Sequence, residues 1–69
     1  MEIKGKYYID ENFVNIYSSN RLYTIARNGG AWGSRAVGDS CGNGFIFTQE
    51  LYNEGLKKCT KEGTFELRD

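Results

Sequence analysis

The chain changes its hydrophobic period once. Through its first half, short runs rich in β-branched and aromatic residues are cut at close intervals by turn formers: Asp10-Glu11-Asn12, Ser18-Ser19-Asn20 and Asn28-Gly29-Gly30. The runs between them, residues 4–9, 13–17, 21–27 and 31–37, predict four strands. Connections this short leave no room for crossover helices, so neighbouring strands are expected to pair antiparallel as a meander. Asn28-Gly29 is the strongest hairpin signal, because a type I′ turn needs positive φ at both central positions. Val14 and Ile16 share one face of their run, and Phe13 and Tyr17 share the other. A strand apolar on both faces is expected at the centre of the sheet, or between a helix and another layer. In the third run Tyr23 and Ile25 read as inward against Thr24.

Residues 38–44, Gly-Asp-Ser-Cys-Gly-Asn-Gly, have the composition of a loop, and Phe45-Ile46-Phe47 then reads as a short buried strand or the lead-in to a helix. From Thr48 the period lengthens. Leu51, Tyr52, Gly55, Leu56 and Cys59 fall on one helical stripe, with polar residues around the rest, predicting a helix over about 48–61. Thr48 is its expected N-cap. Glu50 near the start and Lys57, Lys58 and Lys61 near the end suit the helix dipole, and Glu54 with Lys58 forms an i,i+4 pair. Gly55 lies on the apolar stripe, where a glycine implies close approach to the sheet, under an aromatic ring. Gly63 is expected to end the helical region, and residues 64–68 alternate as a last strand. The expected architecture is therefore α+β, one small domain over residues 1–69. It comprises an antiparallel meander of four to five strands, a C-terminal helix and a final strand.

Composition narrows the function more than it names it. Nine basic residues balance nine acidic ones. Phosphate neutralisation asks for a basic surplus, which argues against a protein that coats nucleic acid non-specifically. The longest apolar stretches are three residues, too short for a membrane span or a secretory core, and the chain opens at Met1 without a targeting segment, so the cytoplasm is the expected location. In that reducing setting Cys41 and Cys59 read as free thiols, at least one of them in the core, with one disulfide as the alternative. Two cysteines and no histidine fall short of the usual four zinc ligands, so neither metal nor cofactor is expected.

Three fragments approach catalytic motifs and miss. Gly33 through Ser40 has the glycine spacing of a phosphate-binding loop, but Asp39 stands at the lysine position and would repel the phosphates. Gly38-Asp39-Ser40 followed by Cys41-Gly42 has the look of a serine-protease nucleophile segment, yet a chain with no histidine offers Ser40, Cys41 and Cys59 no imidazole base. Gly42-Asn43-Gly44 lacks the third glycine of a dinucleotide fingerprint, since Phe47 occupies its place. The acids at Asp10, Glu11 and Asp39 read as solvated turn residues. An enzyme is not expected.

A binding surface is. Arg27, Asn28, Trp32 and Arg35 crowd one hairpin, with Arg21 and Asp39 nearby in sequence, and tryptophan and arginine dominate interface hot spots. Alternation places Trp32 with Ser34 and Ala36, which leaves it either a core residue or an interface anchor. In overall look, short, proline-free, rich in Asn, Lys, Tyr and Ile and without catalytic motifs, the chain resembles small accessory proteins of phages and mobile elements, anti-CRISPR proteins among them. That resemblance implies a non-catalytic module that inhibits or modulates a larger bacterial host or defence complex by steric occlusion. The alternative is a single-stranded nucleic-acid-binding module that stacks bases on sheet aromatics beside the arginines. An unpaired edge strand also admits a regulatory subunit that adds to a partner's sheet, or a homodimer.

Overall fold

The turns dictate the topology. In the computed structural model, which describes residues 1–28, 31–40 and 42–67, β1 (Glu2–Asp10), β2 (Phe13–Ser18), β3 (Arg21–Ala26) and β4 (Trp32–Ala36) pair in succession, each antiparallel to the one before. Helix α1 (Gln49–Lys58) follows, and β5 (Lys61–Glu66) returns to pair with β1. The result is one five-stranded sheet in the order β4-β3-β2-β1-β5, the expected α+β meander with a helix and a returning strand. Ser19 (φ 50°) and Asn20 (φ 60°) are both left-handed between the paired residues Ser18 and Arg21, which is the type I′ geometry that two-residue hairpins favour. The Asn28-Gly29 turn runs into residues outside the described ones.

The helix begins where its cap places it. Thr48 Oγ1 accepts the Leu51 amide at 3.2 Å, with Glu50 in the first turn and Lys57 and Lys58 in the last. It ends earlier than the sequence implied. Cys59 is the C-cap, its amide bonded to Leu56 O, and the strand begins at Lys61. Gly63 therefore does not stop the helix; it lies inside β5, directly opposite Gly5 of β1. Pairing along β1 from Glu2 to Tyr7 outweighs the helical preference of the lysine-rich segment, a case of sheet context overriding local propensity. Glu54 likewise pairs with Lys57 at i,i+3, 3.6 Å apart, rather than with Lys58.

The core is divided between the two faces of the sheet, and β2 belongs to both halves. Ile16, fully buried at 0% exposure, joins Ile3 and Leu67 on one face, with Tyr7, Val14, Tyr23, Ile25, Trp32 and Phe65 packed around them. Its neighbour Tyr17 points to the other face, where it meets Phe47 and Tyr52, with Tyr8, Leu22, Leu56 and Cys59 at the margin. The helix covers only this second face, over β1 and β2. On the helix-free face, aromatic side chains supply the cover that Ile16 needs: Tyr7 meets Phe65 edge to face at 4.9 Å, and Tyr23 lies against Trp32 at 6.2 Å. Two glycines allow the close approaches this requires. A Cβ on Gly5 would sit 2.5 Å from the backbone oxygen of Tyr17, where β1 presses against β2. At Gly55 a Cβ would fall inside the Tyr17 ring, so the helix rests on that tyrosine as its apolar-stripe glycine implied.

Candidate binding surface

The residues nominated from sequence do not converge on one surface. Arg27 and Asn28 line an open hollow of about 440 Å³ with Asn12, Phe13 and Ala26, where the β1–β2 and β3–β4 turns meet. Arg27 holds that junction: its amide donates to Asn12 O at 2.9 Å and its guanidinium to Glu11 O at 3.1 Å. Arg35 lies on the other side of the β4 ribbon from Trp32, exposed beside a hollow of about 290 Å³ lined by Leu22, Thr24, Gly33 and Ser34. Trp32 pairs across from Ile25 and packs on the Ile16 cluster, half-buried, so it serves the core. Arg21 sits at the far end of β3, its guanidinium donating to Ser34 Oγ at 3.1 Å.

Asp39 is a structural residue. Its carboxylate accepts the Ala36 amide at 2.9 Å, and its own amide donates to Ala36 O at 3.0 Å, closing the turn that follows β4. The would-be phosphate loop is thus a strand end and a turn, and the next helix begins only at Gln49. The 38–47 segment is itself hairpin-like. Gly38 N donates to Phe47 O at 2.8 Å, Phe47 N donates to Asp39 O at 2.9 Å, and Ser40 bridges to Ile46. Gly38 (φ 100°) and Gly44 (φ 88°) supply the left-handed conformations this needs.

What that hairpin displays corrects the sequence expectation. Phe45-Ile46-Phe47 is not a uniformly buried run. Phe47 is 5% exposed and anchors against Tyr52, whereas Phe45 is 67% and Ile46 56% exposed. Leu51, 51% exposed, adds an apolar side chain on the outer side of the helix's first turn. Exposed phenylalanine and isoleucine, adjacent on a segment whose base is held by backbone pairing, form an apolar tip. The sequence signal was present: in an extended backbone, successive side chains alternate, so one buried Phe47 cannot bury Ile46 as well.

Burial pushes the Tyr17 hydroxyl pKa up, with further contributions from neighbouring Tyr8, and burial raises Cys59 as well, against a smaller lowering by Lys6. Cys59 is a free thiol that lies 3.5 Å from Gly55 O. Both groups sit under the helix as neutral core members. Cys41, the other half of the disulfide alternative, lies outside the described residues. Among the described residues no cluster of three or more His, Cys, Asp or Glu is placed to hold a metal ion, and no helix is long and apolar enough to cross a membrane. Set against protein-family models, curated proteins and solved structures, the chain matches none of them.

Proposed function

We propose that this protein is a non-catalytic protein-binding module whose anchor is the apolar tip Phe45-Ile46. The observation that carries the proposal is the exposure of these two side chains on a hairpin whose base is held by paired backbone and by buried Phe47. A small domain with little apolar surface to spare gains little for its own stability from side chains this exposed, and a tip held at its base by backbone pairing has less conformational entropy to lose when a partner pocket takes it. An occluding inhibitor of a larger bacterial complex, as the resemblance implied, would engage its target through this tip. The nucleic-acid alternative draws less support. Most rings that could stack bases, Tyr7, Tyr23, Trp32 and Phe65, are half-buried and spend part of their surface covering the Ile16 cluster.

The test is capture of a partner from host lysate by the wild type and by Phe45→Ser with Ile46→Ser. Both positions are exposed, so the variant is expected to melt with the wild type while losing the captured protein. Capture of the same protein by the variant at equal yield would sink the anchor. A steep salt dependence of oligonucleotide binding, with no protein captured, would transfer the case to the nucleic-acid reading.

A further inference from the structure

The two edges of the sheet are not equivalent. At the β4 edge the last outward-facing residue, Ala36, has both backbone groups taken by Asp39, which stops any added strand at that point. Among the described residues the β5 edge has no such cap. Reciprocal bonds between Met1 and Leu67, N to O at 2.8 Å and 2.6 Å, fix the phase of the β1–β5 ladder. In that register Ile3, Gly5 and Tyr7 face the inward-bonded Phe65, Gly63 and Lys61. Glu62, Thr64 and Glu66 therefore turn their N–H and C=O groups away from the sheet. Their side chains alternate acidic, neutral, acidic along one face. Lys6 stands opposite Glu62 and Lys4 opposite Thr64, on the inner side of the same face, but Glu66 stands directly opposite Glu2, a like-charged cross-strand pair. Among the described residues neither of those two carboxylates has an ion-pair partner.

We infer that the β5 edge accepts an extended, basic peptide segment of a protein partner as a sixth, antiparallel strand. Main-chain bonds to Glu62, Thr64 and Glu66 hold the strand, and lysine or arginine opposite Glu62 and Glu66 fixes its register. On the other face an apolar residue opposite Phe65 extends the Tyr7–Phe65 contact. The fitting pattern is basic, apolar, polar, apolar, basic. A second copy of this chain paired two-fold about Thr64 would set Glu62 against Glu66 of its mate, so that register is disfavoured. The inference does not rest on the Phe45-Ile46 tip, which shares no residue with β5.

The experiment titrates the isotopically labelled full chain with a Lys-Val-Thr-Val-Lys peptide carrying Ser-Gly flanks and follows backbone amide shifts. The expected result is shifts centred on residues 61–66, abolished when the peptide's central Thr is N-methylated, and absent for the Glu-Val-Thr-Val-Glu counterpart. Glu62→Gln with Glu66→Gln should weaken binding by about three- to tenfold, as exposed cross-strand charge pairs do. Because N-methylation alters only the peptide, a misfolded variant cannot mimic that loss. Three results would overturn the inference: no shift in 61–66 at millimolar peptide, equal shifts with the N-methylated or a scrambled basic peptide, or a peptide-free dimer in sedimentation whose broadened amides are those of β5.

Discussion

Gly55→Ala should destabilise this protein, against the ordinary behaviour of a glycine in a helix. In an isolated or exposed helix, alanine gains about 1 kcal/mol over glycine from propensity and from the lost freedom of the unfolded chain. Here the added methyl would lie 2.6 Å from Tyr17 Cε2 and closer still to Cζ and Oη. Carbon contacts settle near ~3.5–4.0 Å, so the helix must lift or the ring must swing by about 1 Å or more. The ring has nowhere to go: Tyr52 meets it edge-on at 5.4 Å and Tyr8 stacks on it at 6.2 Å. Overpacking of this kind costs about 1–3 kcal/mol and occasionally more, and three ring atoms inside contact distance put this site at the high end. After the propensity gain of about 1 kcal/mol, a cost of ~3 kcal/mol leaves a net loss of about 2 kcal/mol. In a 69-residue chain that lowers Tm by roughly 8–16 °C. Urea and thermal melts of the wild type, Gly55→Ala, Tyr17→Phe and the double variant read the effect directly. Tyr17→Phe removes the nearest atom, so the double variant should be less destabilised than the sum of the singles, by about 0.5 kcal/mol or more. A Gly55→Ala protein that melts at or above the wild type would refute the packing that holds helix to sheet.

Three further outcomes follow from the same coordinates. Gly5→Ala should cost more than Gly63→Ala, because its Cβ meets the backbone oxygen of Tyr17 at 2.5 Å, whereas at Gly63 it meets the side-chain atom Tyr7 Cε1 at 3.3 Å, which can yield; chemical denaturation ranks the two. Trp32→Ala should lower stability by about 1–3 kcal/mol through lost core contact, while Arg35→Ala, exposed on the opposite face, stays within about 0.5 kcal/mol, again by denaturant melts. Tyr17 and Cys59 both have raised pKa values, so the folded state favours their neutral forms. Their contribution is complete below the unfolded pKa values and is lost as pH rises toward the folded ones, so stability should fall from about pH 9 upward. Tyr17→Phe should flatten that alkaline slope, and an unchanged slope would remove Tyr17 as its source.

The elements were legible in the sequence wherever a local rule decides. Ser18-Ser19-Asn20 is a turn because two adjacent residues tolerate positive φ, and Thr48 starts the helix because its hydroxyl accepts an amide three residues on. Even Gly55 against an aromatic ring followed from its place on the apolar stripe. What failed was decided by distant partners. Residues 59–63 carry helix-compatible charges, but β1 was waiting to pair with them, and no window around Gly63 contains Gly5. The hairpin site failed for a simpler reason. Trp32 and Arg35 are three positions apart in a strand, and an odd separation sends side chains to opposite faces. Nearness in sequence within a strand is therefore half the time separation by the sheet itself.

The two surfaces left over by the core lie on different elements, the 45–46 segment and β5, and this decides what a partner can do with them. Ile16 and Tyr17, adjacent in β2, commit both faces of the central strands to packing. Recognition is thereby left to the hairpin beyond the turn that follows β4 and, among the described residues, to the open edge of β5. Sites on separate elements with no shared contacts contribute additively to binding unless one ligand spans them. If Phe45→Ser and Glu62→Gln with Glu66→Gln weaken binding of one captured protein more than additively, that protein spans both surfaces. If each variant abolishes a different interaction and leaves the other intact, the chain is an adaptor that joins two partners, and occlusion of a single target is no longer the right description of its action.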